Sequence, residues 1–302
     1  MRAKISDFAL IENHTFPSSL DGEGHVYYRH YLPLNKKKKP KIHIIFQHGL
    51  IEHQMRHESF FIAMFEAMPG EVMISAMDLI GHGHSGGHRA YIESFKNFED
   101  DWLHFLGLCA QRTSEFEKIQ HFVVSHSLGG LIVLSTLSDE ANQIPLPLTS
   151  LIFVNPSIAP KLKLPQLIEA KMKTIDGFIN KVRVPLIYNA YDLTHDNEKA
   201  IEFIKDPLIS KAITVKMAVE ILKATENITR HSYFFKYDSF FILSGDDRVV
   251  DNEKTRLFIT GMDKSKVVSK EYPNMCHDIL NETCRNDVFR EIINHIKSKE
   301  SA

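Results

Sequence analysis

The stretch Phe122-Val-Val-Ser-His-Ser-Leu-Gly-Gly-Leu-Ile-Val-Leu134 runs an apolar segment into a short polar turn and straight out into a second apolar segment. A strand that ends in a sharp turn and feeds a helix holds the turn residue, here Ser127, in a strained conformation with its side chain exposed. Small residues must flank it. Gly129 and Gly130 meet that demand on the helix side, while Ser125 stands where the G-x-S-x-G pattern has glycine. Serine is small and unbranched, so the turn survives the exchange on steric grounds. Read alone, the stretch also fits a plain Ser/Gly turn ahead of a helix, and its partners elsewhere in the chain decide between the two.

A serine hydroxyl is a poor nucleophile until a histidine removes its proton, and an acid must orient that histidine. In the strand-to-helix arrangement the acid and then the histidine follow the serine in the chain. Phe240-Phe-Ile-Leu-Ser-Gly-Asp-Asp-Arg-Val-Val250 places Asp246 and Asp247 just past a late strand, and Tyr272-Pro-Asn-Met-Cys-His-Asp278 places His277 in a loop after the last one. Upstream, Ile44-Ile-Phe-Gln-His-Gly-Leu-Ile-Glu-His53 ends a strand in His48-Gly49, where glycine lets the backbone turn an amide toward the cleft. The amides of Leu50 and Leu128 are the candidate oxyanion hole, each such donor contributing about 3 to 4 kcal/mol to the transition state.

Around these points short β-rich runs alternate with longer helical patterns, which argues for βα units about a mainly parallel, doubly wound sheet: an α/β fold. Strands are expected near Gly24 to Tyr31, Ile42 to Phe46, Val72 to Met77, His121 to Val124, Ser150 to Val154, Ser239 to Leu243 and Lys266 to Glu271. Helices are expected near Gln54 to Met68, Ser94 to Arg112, Leu128 to Leu137, Asn252 to Ile259 and Asn286 to Lys297. Residues 156–235 break the alternation, with no strand pattern and with Ile213, Met217, Ile221 and Leu222 at helical spacing. They are expected to form a helical lid inserted into a core of residues 1–155 and 236–302, at the carboxyl ends of the strands where open α/β sheets bind ligands. In its first half Leu162, Leu164, Leu167, Ile168, Met172, Phe178 and Ile179 are interleaved with Lys161, Lys163, Lys171, Lys173, Lys181 and Arg183. Amphipathic basic segments of this kind lie on anionic membrane surfaces or pack their apolar face on their own domain.

The 302 residues carry a formal net charge of −2, which offers no global positive field to a polyanion and argues against nucleic-acid binding. Cys109, Cys276 and Cys284 are an odd number at no metal-ligand spacing, as expected of reduced thiols. The segment MRAKISDFALIENHTF lacks the apolar run of a signal peptide, and no stretch approaches the roughly 18 consecutive apolar residues of a spanning helix. The expectation is a cytoplasmic protein with peripheral membrane contact through the lid. Lys36 to Lys39 read as a solvated turn between two strands. His82, His84 and His88 have a spacing that suggests metal ligands, but no carboxylate pattern completes a site, so neither a metal nor another cofactor is expected.

Taken together, these residues resemble a family. HGLIEHQMR (His48 to Arg56) is similar to the HGxxEHxxR signature of the monoacylglycerol lipases and lysophospholipases within the α/β-hydrolases. DLIGHGHSGGHR (Asp78 to Arg89) resembles its D-x-x-GHG-x-S-x-G-x-R, SHSLGG its GHSxGG, and DPLISKA its lid segment; DDRVVD and YPNMCHDIL also have counterparts. The likeness runs in order from about Val26 to Phe289. It implies an α/β-hydrolase fold with a helical lid, Ser127 as nucleophile, His277 as base and then acid, and Asp247, directly before Arg248, as orienting acid. The spacing from Gly245 is one residue shorter than the usual G-x-x-D, which leaves Asp246 as the alternative acid. Glu52 and Arg56 are implied at the polar end of the site where a glycerol head group sits, or as an ion pair holding the loop. The implied substrate is a small single-chain lipid ester, a monoacylglycerol first and a lysophospholipid second. A soluble short-chain ester and a catalytically weak lipid-binding protein are the remaining readings.

Overall fold

An eight-stranded sheet runs through the computed structural model, which describes residues 3–20, 22, 24–35, 39–162, 180–186, 189–228, 233 and 235–300. Its strands are β1 (Ala9–Pro17), β2 (His25–Pro33), β3 (Ile42–Gln47), β4 (Val72–Met77), β5 (Gln120–His126), β6 (Leu148–Val154), β9 (Ser239–Ser244) and β10 (Val267–Tyr272), in the order β1-β2-β4-β3-β5-β6-β9-β10. β2 pairs antiparallel with both β1 and β4, and the remaining pairs are parallel. Every residue of β3, β4 and β9 is buried, as strands covered on both faces must be.

One layer consists of α1 (Glu58–Ala67) and α7 (Arg285–Glu300), whose Phe60, Phe61, Met64, Val288, Phe289 and Ile292 pack on Ile42, Ile44, Phe122 and Val124. The opposite layer holds α2 (Phe95–Thr113), α3 (Leu128–Ser138) and α6 (Asn252–Thr260), with Trp102, Phe105, Leu131 and Phe258 packed against Ile45, Val123 and Phe153. The same face carries a polar row near the amino ends of β3 and β5. His30 Nδ1 on β2 lies 2.7 Å from Ser75 Oγ on β4, the same hydroxyl lies 2.7 Å from His43 Nε2 on β3, and His43 Nδ1 lies 3.0 Å from His121 Nδ1 on β5. The row satisfies side chains that would otherwise be buried without partners.

Two expectations need correction. β1 was not foreseen; it is an edge strand whose middle residues, Glu12, Asn13 and His14, leave it without clean alternation. Residues 156–235 do contain strands, β7 (Arg183–Pro185) and β8 (Ala212–Thr214), a three-residue antiparallel pair too short to create a periodic pattern. Between them lies α4 (Asn197–Lys205), capped by the Asp196 carboxylate on the amides of Glu198 and Lys199, and after them α5 (Val215–Ile228), which buries Met217 and Ile221. The basic amphipathic stretch at residues 163–179 and Lys36 to Lys38 lie outside the described residues. The segment is tied over the carboxyl edge of the sheet by backbone bonds from Ser210 to Ile51, from Thr214 to Ala90 and from Asp278 to Leu193. All three cysteines are free. Among the described residues no helix is long and apolar enough to cross a membrane.

Candidate active site

β3, β5, β9 and β10 run parallel, so the loops that follow them all open at one edge of the sheet. Each delivers one element of the site. β5 ends at His126 and α3 begins at Leu128, leaving Ser127 alone at the junction with φ +51° and ψ −118°. Such backbone strain, about 1 to 3 kcal/mol, persists only where surrounding bonds enforce it. Here the Ser127 amide donates to the Val154 carbonyl at 3.0 Å, and the Ser127 carbonyl accepts from Gly130 and Ser157, each at 2.9 Å. A Cβ on Gly129 would stand 2.5 Å from the Gln47 carbonyl oxygen, so only glycine lets α3 approach the end of β3 this closely.

His277 Nε2 lies 2.8 Å from Ser127 Oγ, and His277 Nδ1 lies 2.7 Å from Asp247 Oδ2. The other Asp247 oxygen accepts from the amides of Val249 and Val250, both at 2.8 Å. Burial works against the charge of this carboxylate, but the facing His277 and the two amides hold its pKa below the usual range. Asp246 points away, its exposed side chain 3.7 Å from Arg248 Nη2. Leu50 and Leu128 line the same pocket as Ser127 and His277. As the first residue of α3, Leu128 has an amide with no acceptor inside the helix, and the helix dipole adds to its positive character.

A family model described as serine aminopeptidase, S33, matches residues 38–284, which is most of the chain. The chain belongs to the S33 family of hydrolases. Among relatives of this S33 chain, phospholipase YtpA of Bacillus subtilis is 24% identical over 260 residues, covering 84% of the chain and 95% of the relative. Human monoglyceride lipase is 24% identical over 281 residues, covering 90% and 86%. Escherichia coli YnbC, an uncharacterised protein, is 27% identical, but the chain spans only 44% of its length. A soluble variant of Saccharomyces cerevisiae monoglyceride lipase, solved with a substrate analog, superposes with a TM-score of 0.79 at 17% identity, over 97% of this chain and 96% of that one, so the fold is shared.

In this S33 chain the loop after β3 is held from beneath. Glu52 Oε1 accepts from the Gly49 amide at 2.6 Å and lies 2.8 Å from His126 Nδ1 and 3.2 Å from His57 Nε2. Its second oxygen takes Arg56 Nε at 3.2 Å, and the Arg56 guanidinium also bonds Asp278 and stacks 4.6 Å over Phe203. Burial opposes the Glu52 charge, yet His57 and His126 drive its pKa well down, and the Glu52 carboxylate drives that of His126 up against burial. His48 accepts from the Leu79 amide at Nε2, so its Nδ1 carries the proton that goes to the Gly49 carbonyl. Glu52 and Asp278 line the pocket, whereas Arg56 stands behind them.

His48, His126 and Asp278 were not singled out from the sequence. Each directly adjoins an assigned motif residue, but the signal for its role is a contact between segments: Arg56 and Asp278 are 222 positions apart. His82, His84 and His88 take separate partners, the Ile80 carbonyl and the Tyr27 and Tyr91 rings. Asp78 explains the glycine-rich turn around them, since its carboxylate accepts the amides of Gln54 and His84.

Ser125 is fully buried at the end of β5, its hydroxyl 3.5 Å from the Ile152 carbonyl. Ser125→Gly is expected to keep kcat/KM within about tenfold, and Ser125→Val to abolish it by forcing a branched Cβ into the elbow. Equal kcat/KM in the three proteins, each checked for folding by circular dichroism, would sink the steric argument.

Proposed function

We propose that this chain is a serine hydrolase cleaving the carboxylic ester of a single-chain lipid, with a monoacylglycerol as preferred substrate and glycerol and a fatty acid as products. The observation that carries this reading is the hydrogen-bonded series Ser127–His277–Asp247, whose Ser127 and His277 line a mainly apolar pocket. Ser127 attacks the ester carbonyl while His277 takes its proton. Asp247 orients the ring, and the amides of Leu50 and Leu128 hold the oxyanion. His277 then protonates the departing alcohol, and water releases the fatty acid from the acyl-enzyme.

Ile51, Leu162, Leu193, Phe203, Ile221 and Val249 give the pocket apolar walls suited to an acyl chain. Leu162, Leu193, Phe203 and Ile221 come from residues 156–235, which act as the lid over a core of residues 1–155 and 236–302 and make the contact with a lipid surface. At the polar end Glu52 and Asp278 commit Arg56 between them, which suits hydroxyl groups better than a phosphate. The relative named monoglyceride lipase supports the same head group, and the relative named phospholipase supports a lysophospholipid as the second reading.

Fatty-acid release from monooleoylglycerol and from oleoyl-lysophosphatidylcholine at matched concentration separates the two. Monooleoylglycerol is expected to turn over at least about tenfold faster, because Arg56, the cation behind the polar end, is already held by Glu52 and Asp278 and is not offered to a phosphate. The reverse ratio assigns the chain as a lysophospholipase. Failure of both substrates together with failure of a fluorophosphonate to label Ser127 assigns a lipid-binding role without turnover.

A further inference from the structure

Next to the site, on the solvent side of the loop that carries His277, three side chains of metal-binding type converge without entering the mechanism. Ligand atoms of His195, Asp246 and Cys276 all lie within 4.8 Å of one another. Cys276 Sγ is 3.7 Å from His195 Nδ1 and 3.8 Å from Nε2. Zinc bonds of about 2.3 Å to sulfur and about 2.0 to 2.1 Å to nitrogen, at a tetrahedral angle, separate the two ligand atoms by about 3.6 Å. The observed sulfur–nitrogen separations lie close to that value.

A second observation is independent of that spacing. His195 Nδ1 lies 2.7 Å from Glu282 Oε1, and the same carboxylate takes the amides of His195 at 3.0 Å and of Cys276 at 3.2 Å. Glu282 is fully buried. It therefore fixes both backbones and receives the Nδ1 proton, which leaves Nε2, 3.8 Å from the thiol sulfur, as the ring nitrogen not engaged by this carboxylate. A buried carboxylate behind a metal-binding histidine is the arrangement that orients such ligands and raises their basicity.

We infer that His195 Nε2, an Asp246 oxygen and Cys276 Sγ bind one divalent cation of the zinc class, with a fourth position open to solvent, and that occupancy slows hydrolysis at the neighbouring His277. The half-exposed His195 and Asp246 side chains give the ion its entry. Binding forms the metal–sulfur bond as the Cys276 thiol releases its proton to solvent, with no change of oxidation state, so affinity rises with pH. The ion replaces Arg248, whose Nη2 is 3.7 Å from Asp246 and whose Nη1 keeps Asp192 at 2.7 Å. Inhibition follows because a metal bond to Cys276 Sγ displaces the residue directly before His277, whose Nε2 must stay near its 2.8 Å contact with Ser127 Oγ.

Cobalt(II) serves as the probe, because a cobalt–thiolate bond gives a charge-transfer band in the near ultraviolet whether or not the chain turns over an ester. Titration of the reduced full-length chain should produce that band with one equivalent bound and should be reversed by zinc. Cys276→Ser should remove the band, and His195→Ala or Asp246→Asn should weaken cobalt binding at least tenfold. Saturating zinc should slow ester hydrolysis by the unsubstituted chain at least tenfold and leave His195→Ala, with its unchanged metal-free rate, unaffected. No thiolate band, or equal cobalt affinity in the unsubstituted chain and His195→Ala, overturns the site; binding without slowed hydrolysis overturns the inhibition. Loss of all ester hydrolysis without metal would count against the proposed function, and the cobalt titration would still decide this inference.

Discussion

Ser127→Ala is expected to lower kcat for ester hydrolysis by about 10⁴-fold or more, with KM changed far less. The hydroxyl stands on the strained elbow 2.8 Å from His277 Nε2, and in the proposed mechanism it is the atom on which the acyl-enzyme forms. What survives comes from the amides and from binding, which by themselves sustain about 10³- to 10⁴-fold catalysis over water in enzymes of this mechanism. His277→Ala is expected to match that loss, and the double substitution to add almost nothing, because nucleophile and base act as one unit. Activity within tenfold of the unsubstituted chain, measured on protein free of host esterase, would remove Ser127 from the mechanism. A double variant markedly worse than either single one would show that the two do not work together.

The second large effect is on stability. The pKa values of His48 and His82 are pushed down to about 3 and that of His30 to about 4, chiefly by loss of solvation on burial, and that of His43 well down for the same reason. These rings are neutral in the folded chain, while in the unfolded chain they take up protons as the pH falls through about 6.5. The unfolded state then binds more protons, so stability is intact above that pH and falls progressively toward the folded values. For His30, His48 and His82 the loss amounts to on the order of 3 to 5 kcal/mol each by pH 3, against a typical total of roughly 5 to 15 kcal/mol. His126 works the other way: its raised pKa contributes stability that is fully present below about 6.5 and lost as the pH rises through the folded value. The three neutral rings outweigh it. Urea midpoints followed by circular dichroism should drop steeply between pH 6.5 and 4.5, with unfolding in buffer alone before pH 4. A midpoint unchanged from pH 7 to pH 5 would show that these histidines protonate without unfolding.

The parts of the site legible in the sequence are those in which one short segment carries both the backbone geometry and the chemistry. Ser127 with Gly129 and Gly130 is such a segment; His48-Gly49 at the end of β3 is another, and the strands leading to them were placed within a few residues because their apolar runs are continuous. The choice between Asp246 and Asp247 could not be made from neighbours in the chain, since it depends on which carboxylate turns inward at the end of β9. There Asp247 takes two amides of its own loop and faces His277, while Asp246 faces solvent. Glu52 was equally ambiguous for a physical reason: its partners Gly49, His126 and Arg56 come from two strand ends and a 3-10 turn, and only their convergence makes it a clamp on the loop as well as a lining residue. β1 escaped notice because an edge strand needs apolar contact on one side and at few positions.

The polar row through the sheet has a consequence of its own. His43 and His121 meet through Nδ1 on both rings, and burial keeps both neutral, each ring holding one proton. The 3.0 Å contact is a hydrogen bond only when one ring is the Nδ1–H tautomer and the other the Nε2–H tautomer, so the two are locked as opposites. When His43 keeps its proton on Nδ1, its Nε2 must accept from the Ser75 hydroxyl, and His30 can then hold Ser75 only by donating from its own Nδ1. When His121 is the donor, His43 donates to Ser75 instead, and the hydroxyl is freed toward His30. A choice of tautomer on β5 is thereby transmitted through three strand pairings to β2 without the movement of a backbone atom.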